Sequence, residues 1–126
     1  MAGEKILIVD DNATNLKLVA YLMTSNGYEV TTALDADAAL AAIARNAPRL
    51  ILMDLQLPGL DGLELTRKLK SDPATRSILI VAVTAYAMKG DEAKALAAGC
   101  DAYVTKPIDT RSLPQTIARQ LRGGDA

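Results

Sequence analysis

Four short apolar runs, nearly continuous rather than alternating, recur along this chain at intervals of one helix length: Ile6 to Val9, Leu50 to Met53, Ile78 to Val83 and Ala102 to Thr105. Runs of Ile, Val and Leu without a polar beat are what strands buried on both faces look like. Such burial needs helices above and below the sheet, so the pattern favours an α/β fold. A fifth strand, Tyr28 to Ala33, lies between the first two runs.

The intervening segments read as helices. Leu16, Val19, Ala20 and Met23 recur at helical spacing, and Asn26-Gly27 closes that segment. Asp35 is placed to cap an alanine-rich helix over 36 to 46, with Leu40, Ile43 and Ala44 against the sheet. Leu63 to Lys70 forms a third helix after a loop marked by Pro58, Gly59 and Gly62, and residues 87 to 98 a fourth, ended by Gly99. In the last, Ser112 and Gln115 fit a capping box, with Pro114 in the first turn and Leu113, Ile117 and Leu121 as the buried stripe. Strict strand-helix alternation predicts a doubly wound, flavodoxin-like (βα)5 fold, its five-stranded parallel sheet ordered 2-1-3-4-5.

With 126 residues, the chain is read as one domain. Fourteen basic and fifteen acidic residues give a net charge of −1, without the basic footprint of a nucleic-acid or anionic-membrane binder. No apolar run approaches the roughly 18 residues of a spanning helix, and the amino terminus lacks the pattern of a secretory leader, so a cytoplasmic location is expected. Cys100 alone supports neither a disulfide nor a thiolate metal site and reads as a small core residue. The chain has no histidine, which excludes Ser-His and Cys-His catalysis and histidine-ligated metals.

The runs end in residues that suit phosphoryl chemistry: Asp10-Asp11, Asp54, Thr84, and Lys106-Pro107. In a parallel sheet these ends share one edge, where open α/β sheets bind ligands. Two carboxylates about 4 to 5 Å apart repel by roughly 4 kcal/mol at an effective dielectric near 20, so stability does not explain such a cluster. A hard divalent cation does, because Mg²⁺ prefers oxygen ligands. Asp54 is then a candidate nucleophile able to form an acyl phosphate, Lys106 a stabilising cation, and Thr84 a hydrogen-bond donor to the phosphoryl group. No G-x-x-x-x-G-K-[ST] or G-x-G-x-x-G loop follows the first strand, which disfavours a nucleotide or flavin binder. The adjacent Asp10-Asp11 pair also lacks the spacing of Asp-x-Asp hydrolases.

The segments ILIVDDN, LILMDLQLPGLDG, VAVTAYAMKGDE and GCDAYVTKP together resemble the receiver domain of bacterial two-component response regulators, over a core of residues 4 to 121. AMKGDE and the Asn12 to Asn15 stretch are most similar to the DivK-type stand-alone regulators. The resemblance implies that Asp54 accepts a phosphoryl group from a phosphohistidine on a histidine kinase or histidine phosphotransfer protein. It implies Mg²⁺ held by Asp11, Asp54 and the backbone carbonyl of Gln56, with Asp10 acting through water. Lys106 would contact the phosphoryl group, Thr84 and Tyr103 would form the switch, and the small Ala85 would leave it room. Gln56 and Tyr86 would tune dephosphorylation, with bulky Tyr86 slowing it, and the bond before Pro107 would be cis.

The resemblance further implies a signalling phosphoacceptor rather than an enzyme with an external substrate. Its target would dock on the face built from residues 87 to 121, to which Lys89, Glu92, Lys94, Asp101, Arg111 and Arg119 contribute charges. Monomer and phosphorylation-dependent homodimer are both compatible with it, although Pro114 alters a surface that family dimers use. A receiver belonging to a longer hybrid kinase or multidomain regulator is the alternative to a stand-alone protein.

Overall fold

The computed structural model describes residues 3–55, 62–84, 91–105 and 108–122. Five strands alternate with five helices: β1 (Lys5–Val9), α1 (Ala13–Ser25), β2 (Glu29–Ala33), α2 (Ala36–Arg45), β3 (Leu50–Asp54), α3 (Gly62–Ser71), β4 (Leu79–Thr84), α4 (Asp91–Ala98), β5 (Ala102–Thr105) and α5 (Ser112–Leu121). The sheet is parallel throughout, ordered β2-β1-β3-β4-β5. Expected class and strand order are both found. The first four residues of the fourth helix as read from sequence, 87 to 90, lie outside the described residues, as do Pro58 and Gly59.

Pleating divides the core in two. Leu7, Val9, Ile51, Met53, Ile80 and Ala82 point toward α2, α3 and α4, whereas Ile6, Ile8, Leu50, Leu52, Val81 and Val83 point toward α1 and α5. All five residues of β3 are buried, and β3 is the middle strand of the sheet, between β1 and β4. The edge strand β2 is mostly exposed, with Ala33 its one buried residue.

Local chemistry sets most boundaries. The Asn12 side chain caps α1 by accepting from the Asn15 N–H at 3.1 Å. At the other end of α1, Gly27 takes a φ of 91° and the Tyr28 N–H returns to the Met23 carbonyl at 3.2 Å. Asp35 caps α2 as expected, accepting from Ala38 N–H at 2.8 Å. The buried face of α2 is Ala36, Ala39, Ala42 and Ile43, with Leu40 half-buried and Ala44 exposed. Ala44 therefore departs from expectation, and the small Ala39 and Ala42 bring this helix close to the sheet.

The capping box on Ser112 does not form. Asp109 caps instead, its carboxylate accepting from Arg111 N–H at 2.8 Å and Ser112 N–H at 3.4 Å, while its carbonyl accepts from Leu113 N–H at 3.0 Å. Pro114 has no N–H to give the Thr110 carbonyl, so the regular hydrogen-bond series starts only at Ser112, although the Arg111 backbone is already helical.

Candidate functional site

The register brings the strand ends level. Val9 lies opposite Met53 and Ala33, Asp54 opposite Val83, and Thr84 opposite Thr105. Asp10 and Asp54 are therefore delivered side by side from the two adjacent central strands. One carboxylate oxygen each from Asp10, Asp11 and Asp54 lies within 4.8 Å of the others.

Their environments differ. Asp54 is 2% exposed and Asp10 5%, while Asp11 faces solvent. The backbone fixes this: Asp10 N–H donates to the Ala33 carbonyl at 3.1 Å, and the Asp10 carboxylate accepts from Asn12 N–H at 2.9 Å. That turn places the acidic pair just before the first turn of α1, where the helix dipole favours negative charge. Beyond Asp54, Leu55 N–H donates to the Val83 carbonyl at 3.0 Å, keeping β3 and β4 joined past the last carboxylate.

Thr84, 1% exposed, ends β4 beside this cluster. It continues the parity of Ile80 and Ala82, whereas Asp54 continues that of Leu50 and Leu52. Tyr103 is partly buried and packs against the α2, α3 and α4 side of the core, the side to which Thr84's parity belongs. The expected switch pair thus shares one side of the sheet. Gln56, Ala85, Tyr86, Lys106 and Pro107 lie outside the described residues, as does Lys89.

The donor set fits a hard divalent cation: three carboxylates, two of them buried and one of these, Asp10, held by a main-chain N–H, with one side open to solvent. Among the described residues this is the one grouping of three or more acidic or thiol side chains with metal-binding spacing. Of the charges expected on the 87 to 121 face, Glu92, Lys94, Arg111 and Arg119 are exposed. Asp101 is otherwise engaged: its carboxylate accepts from Lys70 Nζ at 2.9 Å and from Ile80 N–H at 2.8 Å.

Sequence reasoning passed over one residue near the site. Thr66 is fully buried in α3, its hydroxyl donating to the Gly62 carbonyl at 2.9 Å. The signal was available, because Gly62, Leu65, Thr66 and Leu69 form one helical stripe in which a polar residue stands among apolar ones.

A five-stranded parallel sheet of this order, carrying an acidic cluster at the carboxyl ends of β1 and β3, defines a doubly wound α/β protein with a candidate cation site, and the chain belongs to the response regulator receiver domain family, which it matches over residues 6–118. It is thus a receiver domain of the two-component response regulators.

Its relatives include the polar-differentiation response regulators DivK of Brucella anthropi and Brucella ovis, each 44% identical over 123 residues that cover 98% of this chain and 98% of the relative. A CheY-like receiver domain protein from Methanospirillum hungatei is 34% identical with a TM-score of 0.89, the match covering 97% of this chain and 96% of that one. NtrX from Brucella abortus gives the same identity and TM-score over 98% of this chain, but that match is only 28% of NtrX. CheY4 of Vibrio cholerae is 25% identical, with a TM-score of 0.87 over 94% of this chain and 98% of that one.

Proposed function

We propose that this protein is a stand-alone phosphorelay receiver in which Asp54 is the phosphoacceptor. The observation that carries the reading is the placement of the 2%-exposed Asp54 carboxylate at the end of β3, within 4.8 Å of the Asp10 and Asp11 carboxylates. The DivK relatives, matched over 98% of their own length, support the stand-alone form. The NtrX likeness, covering 28% of that chain, represents the multidomain alternative.

The donor is a phosphohistidine on a histidine kinase or histidine phosphotransfer protein. An Asp54 carboxylate oxygen attacks phosphorus, the phosphorus to imidazole nitrogen bond breaks, and the histidine nitrogen leaves with the electron pair and takes up a proton. Asp54 reacts as its carboxylate, so the attack itself requires no proton to leave the nucleophile. Its burial excludes bulk water from one side of the acyl phosphate.

Asp11, Asp54 and the Gln56 carbonyl would hold Mg²⁺, with Asp10 reaching it through water. The cation would neutralise charge on the phosphoryl oxygens. Lys106, aimed by a cis bond to Pro107, supplies a second positive charge. Thr84 donates to the phosphoryl group, and its movement toward Asp54 vacates room that Tyr103 fills. That population shift remodels the 87 to 121 face for a downstream protein or a second receiver. Gln56 and Tyr86 set the lifetime of the acyl phosphate, and the whole cycle takes place in the cytoplasm. Among the described residues, no helix is long and apolar enough to cross a membrane.

The test is the intact mass of the protein after incubation with acetyl phosphate and Mg²⁺, beside Asp54→Asn and a chelated sample. One added phosphoryl group in the untreated protein alone is expected. An adduct that persists in Asp54→Asn would overturn the assignment.

A further inference from the structure

Three of the four buried polar or charged side chains noted at the core, Asp10, Asp54 and Thr84, belong to the acidic site, and the fourth, Thr66, is completely buried without touching it. A hydroxyl in that position costs free energy unless both its donor and its acceptor capacity are used. Here the Thr66 hydroxyl donates to the Gly62 carbonyl at 2.9 Å, and it accepts from the Cys100 thiol at 3.9 Å.

Gly62 is the link to the site. It opens α3 so close to the end of β3 that a Cβ on it would lie 2.6 Å from the Asp54 carbonyl oxygen and 2.7 Å from the Leu55 Cα. Its N–H donates to the Leu55 carbonyl at 3.3 Å. The backbone of Asp54 and Leu55 is therefore held between two supports, the Val83 carbonyl of β4 and the first turn of α3. A Thr hydroxyl bonded to the carbonyl four residues back bends a helix locally, so Thr66 adjusts how that first turn meets Asp54.

We propose that Thr66 is a positioning residue for the Asp54 carboxylate, acting through Gly62 and anchored by Cys100, two residues before β5. The proposal rests on Asp54 being the phosphoacceptor. It ascribes to α3 a part in the chemistry that no contact with the phosphoryl group would give it. Small displacements of a nucleophile lower the rate of a bound complex far more than they lower binding, because the near-attack geometry is lost while the donor's other contacts remain.

The experiment compares Thr66→Val, which keeps the shape and removes the hydroxyl, with Thr66→Ser, which restores it. Phosphorylation by acetyl phosphate is followed by intact mass across donor and Mg²⁺ concentrations, with Asp54→Asn as the blank. Thr66→Val is expected to lower the rate at saturation about five- to tenfold, with half-saturating donor and Mg²⁺ concentrations changed less than twofold, and Thr66→Ser is expected to recover most of the rate.

A second readout needs neither metal nor donor: the amide resonances of Asp54 and Leu55 should shift in Thr66→Val and return in Thr66→Ser. A Thr66→Val protein that is folded and phosphorylated at the unmodified rate overturns the positioning role alone. A fall in stability with unmoved Asp54 and Leu55 amides also overturns it, and identifies Thr66 as a packing residue. Absence of an Asp54 adduct in the unmodified protein overturns the phosphoacceptor reading and the proposal with it.

Discussion

Replacing Asp54 by Asn should make the metal-free protein more stable, and the size of the gain follows from the geometry of the acidic cluster. Asp10 and Asp54 are both buried, and each puts a carboxylate oxygen within 4.8 Å of the other. At an effective dielectric of about 20, unit charges at that separation repel by about 3.5 kcal/mol. Asp54 has further interactions that the substitution alters, and a net gain of about 1–2 kcal/mol is expected once the difference between charged and neutral hydrogen bonds is subtracted. For a chain of this length that corresponds to a rise in midpoint of about 3–10 °C.

The assay is urea unfolding at low ionic strength with chelator, followed by far-UV circular dichroism, since the chain contains no tryptophan. Adding Mg²⁺ at ten times its dissociation constant should stabilise the unmodified protein by about 1.4 kcal/mol and the variant by much less, closing the gap. An Asp54→Asn protein no more stable than its parent without metal, or an equal response of both to Mg²⁺, would refute the argument that unfavourable charge is stored here for a cation.

Three further outcomes are expected. Asp109→Ala should cost about 1 kcal/mol by uncapping α5, whereas Ser112→Ala should cost a few tenths, and chemical denaturation separates them; the reverse order would restore the capping box on Ser112. Lys70→Met should destabilise by about 1–2 kcal/mol, because Lys70 Nζ joins the Ile78 carbonyl at 2.8 Å to Asp101 at 2.9 Å while both side chains stay partly solvated, at 19% and 30% exposure. Burial pushes the Cys100 thiol above its ordinary 9.0, with smaller opposing help from the Thr66 hydrogen bond. The folded thiol therefore keeps its proton where the unfolded one loses it, so stability is intact below about pH 9 and falls as pH rises toward the folded value. Cys100→Ala should flatten that alkaline slope in unfolding measurements made across pH 8 to about 10.

The sheet was legible because its strands are buried on both faces, and an unbroken Ile, Val and Leu run such as Leu50 to Met53 has few other homes. The acidic cluster was legible for a topological reason: parallel strands deliver their ends to one edge, so Asp10, Asp11 and Asp54 had to meet once the order was right. Departures arose where a residue has several partners to choose from. Ser112 and Asp109 both carry oxygen at the start of α5, and it is the Asp109 carboxylate that takes the first free N–H groups, those of Arg111 and Ser112. Ala44 and Ala39 are indistinguishable in sequence, and only the rotation of α2 on the sheet buries one and exposes the other. Asp101 is exposed as expected, but its partners, Lys70 and the Ile80 N–H, are 31 and 21 residues away and could not be read from its neighbours. The line from Cys100 through Thr66 to Gly62 is equally non-local, spanning 34 residues for its first step.

The location of Asp54 on β3 has a mechanical consequence. β3 is buried along its whole length and hydrogen-bonded to a neighbour on each side, so its amides should be among the slowest to exchange with solvent. Under the proposed function, a phosphoryl group with about two negative charges would be carried by a strand held on both sides. An anchor of this kind lets one small covalent event take place at the sheet edge without loosening the core that holds it.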